Sequence, residues 1–245
     1  MLPSYTLHML TALITGANRG LGLELARQYV AEGWTVHACC RRRAEAHELA
    51  ALASTAREAV HVHALDVTRF EAVGALAREL SGSAFDVLIN AAGLFGPKAR
   101  AEGNVGQLFG SIDYQSWREL LEVNTFAPLR MAEAFLDHVA TSGQKKIVSL
   151  TSSMGSIAGT GGGYYAYRTS KAALNMAMAS LAKDLASRGV IVTVVCPGWV
   201  RTEMGGPEAP LDKEESIRGV RHVIAGLTRA DSGAFLRYDG QRVPW

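Results

Sequence analysis

The chain has 245 residues, of which 48% are apolar and 20% charged, enough for a sizeable buried core. Its 25 basic and 23 acidic side chains leave a formal net charge of only +2, which excludes a disordered chain and gives no reason to expect nucleic acid or a membrane surface as partner. Cys39, Cys40 and Cys196 cannot form a disulfide framework and lack metal-ligand spacing, so reduced thiols and a cytoplasmic location are expected.

No targeting or transmembrane segment is predicted. Residues 1–16 contain no basic leader and run directly into a glycine loop, unlike a signal peptide. The longest uncharged stretch, 147–167, is rich in Gly, Ser and Thr, whereas a spanning helix needs about 20 mostly apolar residues.

Apolar runs of strand length alternate along the chain with longer segments of helical period. The predicted strands are 10–15, 35–40, 60–65, 85–90, 146–150, 190–196 and 234–237. The predicted helices are 21–32, 44–57, 71–80, 115–140, 166–187 and 213–226. This alternation predicts right-handed crossovers and a doubly wound, mostly parallel α/β sheet of seven strands, in one domain spanning 1–245.

Two long loops, 94–116 and 203–212, each follow a predicted strand. Ligands of open α/β sheets bind beyond the carboxyl ends of the strands, so we expect these loops to wall a substrate site. Decoration of the surface is the alternative.

A glycine loop, TGANRGLG at 15–22, joins the first strand to the first helix. Glycines let the backbone approach a pyrophosphate, and the helix N-terminus offers free N–H groups. The alternative is a tight turn without a ligand. The expected cofactor contacts in this loop are Gly16, Asn18, Arg19, Gly20, Leu21 and Gly22.

Three arginines, Arg41, Arg42 and Arg43, follow the second strand, and no carboxylate occurs before Glu45. An acid at this place suits the ribose 2′-hydroxyl of NAD, whereas an arginine suits the 2′-phosphate of NADP. Cations are unfavourable at the start of a helix, so a bound anion explains them better than solvation does. We therefore expect NADP(H) in preference to NAD(H), with Arg41 and Arg19 at the phosphate and Arg42 as the alternative contact.

Tyr167 and Lys171 stand four residues apart on a predicted helix and therefore share one face. A neighbouring ammonium would lower the pKa of the phenol from about 10, and such a phenol can donate a proton to a carbonyl oxygen. Taken alone, this spacing is more typical of an ordinary surface pair.

Seven segments of the chain together resemble the short-chain dehydrogenase/reductase family in order and spacing. They are TGANRGLG at 15–22, LDV at 65–67, NAAG at 90–93, VNT at 123–125, TSS at 151–153, YRTSK at 167–171 and PGWVRT at 197–202. Within the family, GGGYYAYRTSKAALN at 161–175, MGGPEAPLDKEES at 204–216 and FLRYDGQRVPW at 235–245 are most similar to the C-factor and Sniffer-type carbonyl reductases. The resemblance implies a three-layer α/β/α Rossmann fold.

The resemblance also implies four catalytic residues and a reaction. Tyr167 would be the general acid in carbonyl reduction and the base in alcohol oxidation, and Lys171 would bind the nicotinamide ribose and tune Tyr167. Ser152 would bond the substrate oxygen, and Asn124 would hold a proton-relay water. The reaction would be hydride transfer between NADP(H) and a small carbonyl or secondary alcohol compound.

Further cofactor contacts follow from the same resemblance. They are Asp66 and Val67 at the adenine, Asn90, Ala91 and Gly93 after the fourth strand, Tyr167 and Lys171 at the ribose, and Pro197, Gly198, Val200 and Thr202 beside the carboxamide. Asn90 would also brace the central sheet. A homodimer or homotetramer built on helices 115–140 and 166–187 is implied as well.

The active serine has two possible registers, because the segment before Tyr167 is about two residues longer than is usual in the family. Counting back from Gly155 gives Ser152, whereas counting back from Tyr167 gives Met154, which has no hydroxyl. A strand is the safer anchor, since loops absorb insertions. We expect Ser152 to face the substrate site and Ser153 to face away.

Two alternatives remain. His61 and His63 alternate on a strand, but without further ligands they predict packing or surface positions rather than a metal site. The chain could also be a nucleotide-sensing regulator that kept the fold and lost turnover, although the intact Asn-Ser-Tyr-Lys set argues against this.

Overall fold

A computed structural model describes residues 9–96 and 106–245, and they form a seven-stranded parallel sheet covered by helices on both faces. The strands are β1 Thr11–Thr15, β2 Thr35–Cys40, β3 Val60–Ala64, β4 Val87–Asn90, β5 Lys146–Leu150, β6 Ile191–Cys196 and β7 Phe235–Arg237. The helices are α1 Gly20–Ala31, α2 His47–Thr55, α3 Phe70–Glu79, α4 Tyr114–Leu121, α5 Ala127–Ala134, α6 Leu136–Ala140, α7 Tyr165–Asp184 and α8 Lys213–Gly226.

The strand order is β3-β2-β1-β4-β5-β6-β7, and all six pairings are parallel. The order reverses between β1 and β4, which opens a crevice at the carboxyl edge where such sheets bind ligands. The predicted Rossmann-like α/β fold is therefore confirmed.

Two apolar layers hold the helices to the sheet. Ile14 and Ile89 point to the layer that contacts α1 and α8, and Leu13 and Leu88 point to the layer under α3, α5 and α7. All four side chains are fully buried, so each inner strand is apolar on both faces, as the sequence predicted.

The predicted helix 115–140 is not continuous in the structure. It divides into α4, a π-helical turn at Glu122–Phe126, α5 and α6, and Phe135 between α5 and α6 leaves helical geometry. The apolar period of this region does not reveal the π turn, because the turn depends on contacts that Asn124 makes with distant segments.

The predicted helix 44–57 also differs. It begins as a 3₁₀ turn at Arg43–Glu45 and becomes regular only at His47, because Ala46 has a non-helical ψ of 57°. The other predicted elements lie within two residues of their observed ends, apart from 166–187, whose last turn is a separate 3₁₀ helix at Ala186–Arg188. Among the described residues, no helix is long and apolar enough to span a membrane.

Candidate active site

The glycine loop is folded as tightly as a phosphate-binding turn requires. A methyl group on Gly22 would lie 2.2 Å from the carbonyl oxygen of Gly16, and one on Gly16 would lie 2.7 Å from the Cα atom of Ala92. Gly20 has a φ of +57° and faces open space. Arg19 precedes α1 without a side-chain cap, so the first N–H groups of the helix are open to an anion. This geometry fits a dinucleotide pyrophosphate.

The charges that follow β2 and β3 also suit a phosphorylated ribose. Arg42 pairs with Glu45 at 3.1 Å, whereas Arg41 is exposed and pairs with no carboxylate of residues 9–96 and 106–245. Burial favours a higher pKa for Asp66, but hydrogen bonds from Thr68 and the charges of Arg41 and Arg69 outweigh it and lower that pKa. Arg41 therefore lies near Asp66 and carries a charge free for a ligand.

Arg19 has a partner that the sequence did not suggest. Its guanidinium pairs with the carboxylate of Glu203, at the start of the loop 203–212. This ion pair joins the glycine loop to the predicted substrate loop, so a phosphate that binds Arg19 would compete with Glu203.

The residues after β4 connect the glycine loop to the centre of the sheet. The hydroxyl of Thr15, at the end of β1, accepts hydrogen bonds from the backbone N–H groups of Ala91 and Ala92. The amide of Asn90 donates to Ser149 Oγ at 3.1 Å and to the carbonyl oxygen of Pro128 at 3.4 Å. These bonds join β4 to β5 and to α5, as expected of a residue that braces the central sheet.

Asn124 lies in the π turn, fully buried, and its side chain ties two segments together. Its amide nitrogen donates to the carbonyl oxygen of Leu94 at 2.8 Å and to Ser170 Oγ at 2.9 Å. Its oxygen accepts from the N–H of Leu94 at 2.8 Å. Gly93 lies beside both Asn124 and Lys171, because a methyl group on it would be 3.4 Å from Asn124 Oδ1 and 3.7 Å from Lys171 Nζ.

The structure brings Ser152, Tyr167 and Lys171 together beyond the end of β5. The side chain of Ser152 lies beside the Tyr167 phenol, whose pKa it lowers, and its hydroxyl accepts a hydrogen bond from the N–H of Met154 at 3.2 Å. The Lys171 ammonium lies 6.0 Å from the centre of the Tyr167 ring and donates to the carbonyl oxygen of Leu150 at 2.9 Å. Ser153 is exposed, and its N–H donates to Cys196 Sγ.

The pKa of Tyr167 moves in the direction opposite to the one predicted. Burial raises it to about 12, and the hydrogen bond from Ser152 only partly offsets the cost of removing a tyrosinate from water. Burial also lowers the pKa of Lys171 to about 8. The expected lowering of the Tyr167 pKa by Lys171 was therefore wrong for this geometry, because desolvation of the buried phenol dominates its pKa.

The turn after β6 forms a tight bend over this site. The carbonyl oxygen of Pro197 accepts from Ser216 Oγ at 2.7 Å, which fixes the turn to α8. Gly198 has a φ of +86°, and a methyl group on it would lie 2.5 Å from Leu211 Cδ1. Val200 is buried and forms an isolated β-bridge with Leu211, and Thr202 Oγ1 accepts from the N–H of Gly205 at 3.0 Å. The loop 203–212 is thus closed at its base.

Sequence reasoning missed the roles of three buried polar residues around these side chains, Gln107, Ser170 and Asn175, and of the buried thiol of Cys196. Asn175 accepts from Thr151 Oγ1 at 2.6 Å and donates to the carbonyl oxygen of Gly155, so it secures the turn that carries Ser152. Ser170 and Asn175 lie three and eight residues after Tyr167 in the same helix, and this spacing could have indicated that they lie near Tyr167. No feature of the sequence indicated that Gln107 and Cys196 lie there.

The histidines of β3 and the three cysteines, which the sequence analysis also considered, show no metal or redox site among the described residues. His61 and His63 lie on β3 beside His37, whose Nδ1 is 3.1 Å from His63 Nε2. Within the part of the chain that the structure describes, no group of three or more His, Cys, Asp or Glu side chains could hold a metal ion. The three cysteines are buried free thiols. Residues 97–105 of the predicted substrate loop lie outside the described residues.

Comparisons with known proteins identify the family to which a chain with this arrangement belongs. The family model for short chain dehydrogenase matches residues 10–212. The chain belongs to the short-chain dehydrogenase/reductase family. It is 42% identical to the C-signal protein of Myxococcus xanthus over 161 residues, which cover 65% of this chain and 92% of that protein.

Solved structures of the family agree. Carbonyl reductase Sniffer of D. melanogaster superposes with a TM-score of 0.89 at 34% identity, covering 97% of this chain and 100% of that one. The NADPH-bound carbonyl reductase from chicken fatty liver gives a TM-score of 0.86 at 32% identity, covering 97% and 99%. The resemblance to the short-chain dehydrogenase/reductase family that was read from the sequence is confirmed, and the chain belongs to this family of oxidoreductases.

The geometry of the two serines generates a prediction. Ser152→Ala removes the hydroxyl beside Tyr167 and should lower kcat by about a hundredfold, the loss that follows removal of one preorganised donor at a reacting oxygen. Ser153→Ala is the matched control, and it should change kcat by no more than about twofold because this side chain is exposed. Steady-state carbonyl reduction measures both, and the reverse ranking would contradict the choice of serine.

Proposed function

We propose that the protein is an NADP(H)-dependent carbonyl reductase that acts on a small ketone or aldehyde, with Tyr167 as the general acid. The observation that carries this proposal is the cluster of Ser152, Tyr167 and Lys171 at the carboxyl edge of the sheet, on the same edge as the glycine loop. Nicotinamide supplies the hydride when it is bound.

The protein's own residues account for the proton side of the reaction. Ser152 orients the substrate oxygen by a hydrogen bond, and Tyr167 donates the proton as negative charge develops on that oxygen. Because burial raises the pKa of Tyr167 to about 12, the phenol keeps its proton at neutral pH and is ready to act as an acid.

Lys171 and Asn124 hold this arrangement in the proposal. Lys171 is anchored to the end of β5 through Leu150, where its ammonium can also meet a ribose hydroxyl. Asn124 uses both N–H bonds of its amide to join the segment after β4 to α7, which keeps Tyr167 and Lys171 beside Gly93.

The proposed cofactor contacts are the residues that follow the strands at the carboxyl edge of the sheet. The turn of Gly16, Gly20 and Gly22 would cradle the pyrophosphate, and the exposed Arg41 would hold the 2′-phosphate. Asp66 and Val67 lie after β3 for the adenine, and the segment 197–202 lies after β6 for the carboxamide.

A second candidate, a nucleotide-binding regulator without turnover, is favoured by the similarity to a protein named C-signal. The two candidates differ in one measurement. A panel of ketones and aldehydes screened for NADPH oxidation, and repeated with NADH, should reveal turnover in a reductase and none in a sensor. Tight NADPH binding without turnover of any panel member would favour the regulator.

Tyr167→Phe tests the proposed chemistry. The change removes the proton donor but leaves the ring packed against Phe95, whose centre is 4.6 Å away. General acids contribute roughly 10²–10⁴-fold, so kcat should fall by at least about a hundredfold while NADPH still binds. Stopped-flow reduction and fluorescence titration of NADPH measure the two quantities. Activity close to that of the native protein would exclude Tyr167 as the acid.

Arg41→Ala tests the preference for NADP(H). A charge-assisted hydrogen bond contributes roughly 1.5–3 kcal/mol, so the Kd for NADPH should rise about ten- to a hundredfold and the Kd for NADH should hardly change. Arg229→Ala, an exposed arginine in the 3₁₀ turn before β7, is the matched control. Equal losses for both cofactors, or a native preference for NADH, would defeat the assignment.

The proposal also includes a homodimer or homotetramer in the cytoplasm, the compartment that suits three reduced, buried thiols. The exposed sides of α4 and α7, which pack on one another, carry the apolar side chains of Tyr114, Tyr165 and Met176. Met176 is 69% exposed, and an exposed apolar patch of this kind is typical of a surface that binds another protein chain.

Met176→Glu tests this assembly. A carboxylate in a closed apolar contact loses its hydration without a partner, so the variant should sediment as a monomer. Phe70→Glu, an exposed aromatic residue on α3, is the control and should not change the sedimentation coefficient. A native chain that sediments as a monomer at every concentration would rule out the assembly.

A further inference from the structure

The helix that carries Tyr167 begins without a cap of its own. Tyr164 precedes α7 in a left-handed conformation, with a φ of +50°, and it makes no side-chain cap hydrogen bond. The two residues before it, Gly162 and Gly163, also have positive φ values. The first N–H groups of a helix have no partner within the helix, so the start of α7 needs acceptors from other segments.

Gln107 supplies these acceptors from a position 60 residues away. Its backbone carbonyl oxygen accepts from the N–H of Tyr165 at 3.1 Å, and its side-chain oxygen accepts from the N–H of Tyr167 at 3.1 Å. Its side-chain nitrogen donates to the carbonyl oxygen of Phe95 at 2.7 Å. Gln107 is fully buried, and a reversed amide would break both side-chain bonds, so only one orientation satisfies the site.

The same glutamine determines what packs against the phenol ring. Phe95, held by Gln107, lies with its ring centre 4.6 Å from that of Tyr167. Gly96 leaves room for the amide, because a methyl group there would lie 2.3 Å from Gln107 Nε2. Tyr167 is therefore fixed at its backbone by Gln107 and at its ring by Phe95, with Ser152 beside its hydroxyl.

We infer that Gln107 is a positioning residue for Tyr167: it aligns the phenol with Ser152 by capping α7 and holding Phe95 against the ring. This inference rests on the proposed function for its effect on rate, but the hydrogen bonds can be tested without turnover. Gln107 does not touch the reacting atoms, and an exposed polar side chain could not replace it because both partners are buried main-chain groups.

Gln107→Leu is the first test. Leucine has a similar volume but leaves the N–H of Tyr167 and the carbonyl of Phe95 without partners. Displacements of about 1 Å at a reacting group can cost about a hundredfold, so kcat should fall ten- to a hundredfold while the Kd for NADPH stays within about twofold. Leu185→Ala, which creates a cavity at the far end of the same helix, controls for lost stability and should leave kcat unchanged.

Gln107→Glu is the second test, and it separates alignment from general destabilisation. A carboxylate can accept from Tyr167 but repels the carbonyl oxygen of Phe95, whereas the protonated acid can make both bonds. The ratio of the variant's kcat to the native kcat should therefore rise as pH falls through the pKa of the introduced carboxyl, which burial will raise. A ratio that does not change with pH would contradict the claim that the bond from Gln107 to Phe95 aligns Tyr167.

Amide hydrogen exchange gives a readout that does not need a substrate. In the Gln107→Leu variant, the amide of Tyr167 should lose protection because its side-chain acceptor is gone, whereas Leu185→Ala should retain it there. Undiminished protection, a kcat within twofold of the native value, or a parallel loss of NADPH affinity would overturn the inference. If Tyr167→Phe remains active, the proposed function fails, whatever the exchange data show for Gln107.

Discussion

Because all seven strands run parallel, the segments that follow them meet at one edge of the sheet. The glycine loop follows β1, Arg41 follows β2, Asp66 follows β3, Gly93 follows β4 and Ser152 follows β5. A residue on any of these segments is brought near the others by sheet pairing alone, without a contact between their side chains. The shared direction of the strands thus brings the candidate site residues to one edge of the sheet. The helices then fix the orientation of the side chains there.

Buried amide groups convert this rough placement into defined geometry. Asn124 bonds Leu94 and Ser170, Gln107 bonds Phe95 and Tyr167, and Asn175 bonds Thr151 and Gly155. Each side chain links a segment at the sheet edge to α7 or to its N-terminus. Unsatisfied buried polar groups cost about 1–3 kcal/mol each, so these bonds specify one arrangement of α7 over the sheet.

The same burial determines the protonation states. In a water-filled cleft, an ammonium four residues from a tyrosine would favour tyrosinate. Here burial shifts both groups toward their neutral forms: the pKa of Tyr167 rises to about 12 and that of Lys171 falls to about 8, so at neutral pH the phenol keeps its proton and most of the lysine stays charged. A neutral phenol beside the Ser152 hydroxyl is a proton donor, which suits the reduction of a carbonyl.

The sequence by itself determined the alternation of strands and helices, the mostly parallel fold, the glycine loop and the family, because these depend on hydrophobic period and on short motifs whose spacing is local. The approach of Ser152 to Tyr167 could also be predicted, since one follows a strand and the other lies early in a helix. Only the tertiary structure decided the π turn at Asn124, the pairing of Arg19 with Glu203, the cap from Gln107 and the raised pKa of Tyr167. Each of these depends on groups 30 to 184 residues apart or on the loss of water around a side chain. Neither long-range pairing nor desolvation is encoded in the local pattern of residues, and both exist only once the chain is packed.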